Sequence, residues 1–351
     1  FGGYHSFFGR LSENTLKLAE KIIAISPFKS GKVFFTNSGS EANDTVVKIL
    51  WMLNKRKGQP QKRKIITRIN AYHGVTLGAS SMTGKTYNKE FGMPLNDFIH
   101  ADCPHYWKFG IKNENEEDFS KRMGKNLEDL IIKEVPETIA GFVAEPVQGA
   151  GGVIPPSKGY FDVIQPILKK YKIPFVVDEV ITGLGRTGNL WGSETYNLQP
   201  DIIISSKALT AGFFPMGAVI LKQEMADEFV QVSEEAEEFP HGFTSGGHPV
   251  GCAIALKAID VIINEGLLDN VKNVSPYFLN RLKEFDEYEH IGETRGIGLM
   301  AALEIVKDKS SKIPFDTDML VGDKVANQSI DNGLICRPLG PAIVLCPPFI
   351  I

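Results

Sequence analysis

The sequence has no run of about eighteen purely apolar residues, so it offers no membrane-spanning helix. Cysteine is scarce. Cys103, Cys252, Cys336 and Cys346 show no paired spacing, which excludes a disulfide-framed scaffold and fits a reduced, cytoplasmic setting. A dominant charge sign is also lacking: 38 basic side chains face 42 acidic ones, for a formal net charge of -4. That balance gives no electrostatic footprint for nucleic acid or an anionic membrane. The chain opens at Phe1 without methionine and stops inside the apolar run Pro348-Phe349-Ile350-Ile351, so further segments are expected beyond both ends. Internal repeats and low-complexity tracts are absent.

What is present is an ordinary globular composition. With 351 residues, 43% hydrophobic, the chain can bury a large core and form two domains. Ala140 to Val147 and Pro174 to Val180 are continuous apolar runs ending in carboxylates, with an amphipathic helix between them from Gly159 to Tyr171. Lys64 to Arg68, Asp201 to Ser205 and Met216 to Leu221 add strand candidates. This alternation predicts an α/β fold, a mostly parallel sheet covered by helices on both faces. From about Pro276 the pattern shifts to helices alternating with the strand candidates Gly298 to Val306 and Ala342 to Cys346, as in a smaller α+β unit. The expected division is a partial N-terminal segment (1–30), a large domain (31–270) and a small C-terminal domain (271–351).

In such a sheet, ligands collect outside the carboxyl ends of the strands. Glu145, Asp178 and Lys207 all fall there. Lys207 closes an apolar run, where an ammonium is costly unless it is paired or loses its proton. A neutral lysine there is a nucleophile toward carbonyls; a lysine simply leaving the sheet is the competing reading. Asp178 could hold a pyridine nitrogen protonated, or merely cap the next turn. The Ser38-Gly39-Ser40 turn opens a helix running to about Lys57 and presents free N–H groups to an anion, as a phosphate cup or as plain capping. Tyr72, beside His73 at a strand exit, could stack on a flat ring or pack in the core. Thr244 is a second phosphate candidate, and Arg337, beside a proline turn, suits a carboxylate or a structural ion pair. His100, Asp102, Cys103 and His105 lie close in sequence but match no regular zinc spacing, and no metal site is predicted. The segment Gly183 to Gly188 is a glycine-rich loop rather than a dinucleotide fingerprint.

The motifs NSGSEAN, NAYHG, AEPVQGAGG, VVDEV, GLGRTG, SSKALTAGFFPMGAV and HGFTSGGHP, in this order, resemble the class III pyridoxal-phosphate aminotransferases, and among them the omega-transaminases that use pyruvate. The resemblance implies pyridoxal-phosphate fold type I and a homodimer, or a tetramer, with shared sites. It places Lys207 in a Schiff base with pyridoxal 5'-phosphate and Asp178 on the ring nitrogen, with Tyr72 and Val180 on the two ring faces. Ser38, Gly39, Ser40, His73 and Phe243 would help hold the cofactor, joined by Thr244 of the neighbouring subunit. Phe7 and Phe8, lent by the partner subunit, would line the substrate pocket with Tyr72, Val75, Ala150 and Leu339. Arg337 would take a substrate carboxylate and swing away for amines lacking one, with Glu145 as its pairing partner in some relatives. Ile181 departs from the glutamine of ornithine and 4-aminobutyrate enzymes, which weakens the case for those donors. The implied reaction moves an amino group from a primary amine or omega-amino acid to a keto acid. The rivals are an aminomutase or decarboxylating transaminase on the same scaffold, and a non-catalytic cofactor-binding protein.

Overall fold

The structure, a computed structural model, describes residues 11–351. Seven strands form the main sheet: β1 (Gly31–Thr36), β2 (Lys64–Arg68), β3 (Phe98–Ala101), β4 (Ile139–Ala144), β5 (Phe175–Asp178), β6 (Ile202–Ser205) and β7 (Gly217–Lys222). Their order is β1-β7-β6-β5-β4-β2-β3. The strands from β6 through β3 run parallel, as expected, whereas β7 pairs antiparallel with both β6 and β1. A short return from Lys207 to Met216 produces that reversal, since a connection without a crossover helix can bring the next strand back only antiparallel.

The helices that matter for the site are α1 (Glu13–Ile25), α2 (Gly39–Arg56), α3 (Glu116–Lys133), α4 (Tyr160–Lys170) and α5 (Pro249–Asn264). Alternate residues of the central strands feed opposite layers. Val176, Ile202 and Ile204 pack with Val46, Ile49 and Leu50 of α2. Phe175 and Val177 pack with Phe119 and Met123 of α3 and with Phe161 and Ile164 of α4. Ile203 and Ile220 pack with Leu18 of α1 and Ile259 of α5. Strands apolar on both faces are what a sheet covered on both sides requires. The sheet is thereby fixed before its polar ends are considered.

A second, antiparallel sheet is built from β8 (Ile291–Ile297), β9 (Met300–Ile305), β10 (Arg337–Leu339) and β11 (Ala342–Leu345), in the order β10-β11-β9-β8. Only β9 and β11 were legible from apolar runs; β8, GETRG at its centre, is too polar to stand out, and β10 is three residues long around a proline. Met300, Ala302, Ala342 and Val344 of this sheet pack against Val147 and Val153 of the loop after β4.

The residue after Asp178 shows how the loops below the site are held. Glu179 is fully buried and accepts from the Thr182 hydroxyl (2.5 Å) and from the Gly192 (2.9 Å) and Ser193 (2.6 Å) N–H groups. Its carboxyl is pushed up by burial and pulled back by those donors. Glu179→Ala would leave three buried donors unmet, and we expect it to cost about 3 kcal/mol. Urea denaturation with and without cofactor checks this; an unchanged midpoint would contradict it.

Candidate active site

Asp178 ends β5 with its carboxylate only 3% exposed. One oxygen, Oδ2, accepts from Asn43 Nδ2 (3.0 Å) and faces His73 Nδ1 (2.8 Å); the other, Oδ1, accepts from the Val180 N–H (3.1 Å). With Asp178 ionised, His73 carries its proton on Nδ1. Asn43 lies one turn into α2 and also donates to the carbonyls of Gly39 (3.1 Å) and His73 (2.9 Å). The carboxylate is thus held by α2, the strand exit after β2 and its own chain. Two buried atoms beside it, Asn43 Oδ1 and His73 Nε2, have no hydrogen-bond partner among the described residues.

Helix α2 starts where the sequence predicted. Ser38 caps it, its hydroxyl accepting from the Glu41 N–H (3.2 Å), while Glu41 reaches back to the Asn37 N–H (2.6 Å). The first-turn N–H groups of Gly39 and Ser40 have no intrahelical acceptor. Gly39 lies so close to Val180 that a Cβ there would sit 2.9 Å from Val180 Cγ2. Gly74, at φ +136°, likewise lies where a Cβ would fall 2.3 Å from Ser40 Oγ. The Val75 N–H donates to that hydroxyl (3.1 Å). Glycine at both positions lets the loop after β2, the start of α2 and the end of β5 meet.

Lys207 follows β6 in the left-handed region, at φ +45°. That conformation costs a non-glycine residue about 1–3 kcal/mol and is held only where the surroundings impose it. Here Ser206 Oγ donates to the Met216 carbonyl (2.7 Å) and Thr210 Oγ1 to the Phe214 carbonyl (2.6 Å), closing the turn. The Lys207 side chain is open to solvent, yet desolvation lowers its pKa below the ordinary 10.5. Both hold, because walls around an accessible amine exclude bulk water from much of its surroundings. Asp178 and Glu145 oppose the shift by attraction and Arg337 adds to it by repulsion, so these groups share one electrostatic neighbourhood.

Glu145 is buried, and burial raises its carboxyl pKa. Its oxygens accept from the Tyr72 (3.0 Å) and Gly149 (2.8 Å) N–H groups. It is therefore engaged in placing Tyr72 and the loop after β4, and it does not pair with Arg337, contrary to the reading carried over from some relatives. Arg337 is exposed on β10 and forms no ion pair with the described residues. Ala150 and Leu339 are half-buried and Val75 is exposed. Phe243 is half-buried and Thr244 exposed, on a loop anchored to α2 through His241: its ring nitrogens meet Thr45 Oγ1 (2.9 Å) and Lys48 Nζ (3.1 Å). Burial, with Lys48 beside it, lowers His241 to about 4, so the ring stays neutral. Phe7 and Phe8 lie outside the described residues.

Three groups escaped the sequence reading. Asn43 sits inside a quoted motif, but a polar residue in a helix carries no signal of what it meets. Tyr87 shares the neighbourhood of Tyr72 and Arg337, and Cys346 that of Lys207 and Arg337. Tyr87 lies in a single 3-10 turn, Thr86–Phe91, and Cys346 just past β11, both too short of pattern to point inward. The local cluster considered for a metal disperses: His100 contacts the Ser81 carbonyl, Asp102 contacts Asn126, Cys103 contacts Gln148 and His105 contacts Glu293.

The class-III aminotransferase family model matches residues 4–351. This chain is a class-III aminotransferase. It is 62% identical to an aminotransferase from Vibrio fluvialis solved in its PMP-bound form, with a TM-score of 0.98, covering 100% of this chain and 78% of that one. An omega-aminotransferase from Paracoccus denitrificans gives the same identity, TM-score and coverage. Gamma aminobutyrate transaminase 1, mitochondrial, of Solanum lycopersicum is 46% identical over 350 residues, 99% of this chain and 68% of that protein.

Class-III aminotransferases depend on pyridoxal phosphate, and the residues of this aminotransferase fit that group. Helix α2 offers N–H groups and its positive end to a phosphate. A caged carboxylate with two polar atoms beside it unmet among the described residues, and a desolvated lysine in its electrostatic neighbourhood, suit a charged, polar ring. In an unconstrained helix Gly39→Ala would be stabilising. Against Val180 it must displace the start of α2, and we expect the cofactor dissociation constant to rise about tenfold, the equivalent of about 1.4 kcal/mol. Absorbance titration of cofactor-free protein measures it; unchanged affinity would remove the α2 start from the site. A second expectation concerns charge. In cofactor-free enzyme, acetylation of Lys207 should titrate at a pH below 10.5, because its folded pKa is lowered and the neutral amine appears earlier as pH rises. Mass spectrometry of Lys207 acetylation across pH checks this; a midpoint at or above 10.5 would contradict it.

Proposed function

We propose that this aminotransferase is an omega-transaminase, moving the amino group of a primary amine or omega-amino acid to a keto acid, with pyruvate as acceptor. The observation that carries this reading is an exposed Arg337, with no ion pair among the described residues, within electrostatic reach of Lys207. A guanidinium free of internal partners can take a substrate carboxylate in a forked pair and can move aside when none is present. Likeness to the omega-aminotransferase of Paracoccus denitrificans supports the class. The name of the Solanum lycopersicum relative points to an omega-amino acid bearing a carboxylate, against the expectation drawn from Ile181. In this chain Ile181 packs so tightly under Gly149 that a Cβ on that glycine would be 2.3 Å from its Cδ1. 4-Aminobutyrate therefore belongs among the donors to test.

The chain's residues divide the work. Bound pyridoxal phosphate supplies an aldehyde that exchanges amines and a ring that withdraws electrons. Lys207 would hold it covalently and, once displaced by substrate, carry the proton removed from the substrate carbon, a task suited to an amine with a lowered pKa. Asp178, fixed by Asn43, His73 and Val180, would keep the ring nitrogen protonated by its adjacent negative charge. Gly39 and Ser40 would hold the phosphate, with Tyr72 and Val180 bounding the ring.

The proposal includes a homodimer. Cavities of about 660 and 1130 Å³ occur in the single chain, and neither is lined by Lys207 or Asp178. Around the site Val75 (76%), Leu77 (69%), Phe91 (74%) and Phe213 (82%) are exposed. Apolar surface of this kind marks an interface, and a second copy would enclose the site and bring Thr244 to the partner's phosphate.

Lys207→Ala should retain bound cofactor noncovalently and lose steady turnover. In the native enzyme, an amine should bleach the cofactor's long-wavelength absorbance and pyruvate should restore it. Turnover without an acceptor would favour a mutase instead, and release of carbon dioxide a decarboxylating transaminase.

A further inference from the structure

Arg295, in β8, is only 8% exposed and spends its whole guanidinium on the boundary between the two sheets. Nε lies 3.0 Å from the Gly152 carbonyl and 3.0 Å from the Val153 carbonyl, and Nη2 donates to Gly152 O (2.7 Å). Nη2 also meets Glu304 (2.7 Å), and Nη1 meets Glu293 (2.8 Å). Glu293 is fixed in turn by His105 Nε2 (2.7 Å). The gripped turn, Gly149 to Gly152, carries Ala150 and is closed by the Gln148–Ile154 bridge. Gly152, at φ +113°, leaves just enough room: a Cβ there would stand 3.0 Å from Arg295 Nη2.

The register of the second sheet adds an independent fact. Arg295 lies opposite Ala302, Ala302 opposite Val344, and Val344 opposite Arg337. The four residues form one transverse row, and residues directly opposite one another project to the same face of a sheet. Ala302 and Val344, between the two arginines, pack on Val147 and Val153 of the same loop. The row spans three strand spacings, about 14 Å. One end grips the loop bearing Ala150; the other bears the exposed Arg337.

We infer that Arg295 is a positioning residue for carboxylate substrates: by locking the second sheet onto the turn at Gly152, it fixes how far Arg337 stands from the Ala150 wall and from Lys207. This inference rests on the proposed role of Arg337. A primary amine without a carboxylate does not use that distance, whereas a keto acid does.

The test compares Arg295→Lys, Arg337→Ala and the double variant in cofactor-loaded enzyme, with pyruvate and with an amine lacking a carboxylate. Arg295→Lys keeps a charge but cannot span two carbonyls and two carboxylates. It should raise the pyruvate KM about tenfold, the scale of a small misplacement, and leave the amine KM and the cofactor absorbance unchanged. In the double variant it should add nothing to the effect of Arg337→Ala on pyruvate. If Arg337→Ala leaves the pyruvate KM unchanged, the reading of Arg337 fails and the inference with it. If Arg337→Ala raises it while Arg295→Lys shifts both KM values together, or neither, only the positioning role is overturned. Should Arg295→Lys not fold, Glu304→Gln, which loosens the same guanidinium at nearly constant shape, carries the test. The same split then supports the inference, and equal change or none overturns it.

Discussion

The carboxylate of Asp178 is the point on which the arrangement turns. Three donors from three stretches of chain converge on it: Asn43 from the second turn of α2, His73 from the exit of β2, and the Val180 N–H from the turn after β5. A buried acid costs free energy unless such donors meet it. Those donors therefore fix more than the acid. They set α2 against the turn after β5 closely enough that Gly39 touches Val180, and the same glycine lies beside Ser206, next to Lys207. Removing the carboxylate would untie the geometry as well as the charge.

Glu145 plays a parallel part on the other side. It accepts from Tyr72 and Gly149, and Arg68 donates to its backbone carbonyl (2.5 Å). It joins the strand exit that carries the aromatic ring to the loop that carries Ala150. That loop is then held from outside by Arg295 of the second sheet. The loop is thus supported twice, by a carboxylate at the end of β4 and a guanidinium of the second sheet. Neither group needs to touch substrate to affect it.

Much of this was legible in the sequence, for identifiable reasons. Strands apolar on both faces advertise a covered sheet, and a charged residue that closes such a run has nowhere to go but the ligand face. Asp178, Glu145 and Lys207 could therefore be placed at the strand ends. Ser38 and Gly39 were readable because capping is local chemistry. The role of Asn43 was not, since its partner lies 135 residues away and nothing in a helix sequence declares it. Arg295 sits in a polar strand without an alternating pattern, so neither its burial nor its grip on Gly152 leaves a trace. Glu145 was placed correctly and interpreted differently: its lone pairs were expected to face an arginine and are taken by backbone N–H groups.

The charges around Lys207 also act on one another. Desolvation is the largest influence on its pKa, with Asp178 and Glu145 pulling it up and Arg337 pushing it down. Under the proposed reading, a substrate carboxylate that pairs with Arg337 cancels that repulsion. Lys207 then becomes the stronger base while the carboxylate is seated, so the two half-reactions meet an amine of different basicity. An amine without a carboxylate leaves Arg337 charged and unpaired, and keeps Lys207 the weaker base unless the guanidinium moves away. A mobile arginine on a three-residue edge strand suits both cases. Under that reading its freedom would decide what binds, and its position would adjust the base that reacts.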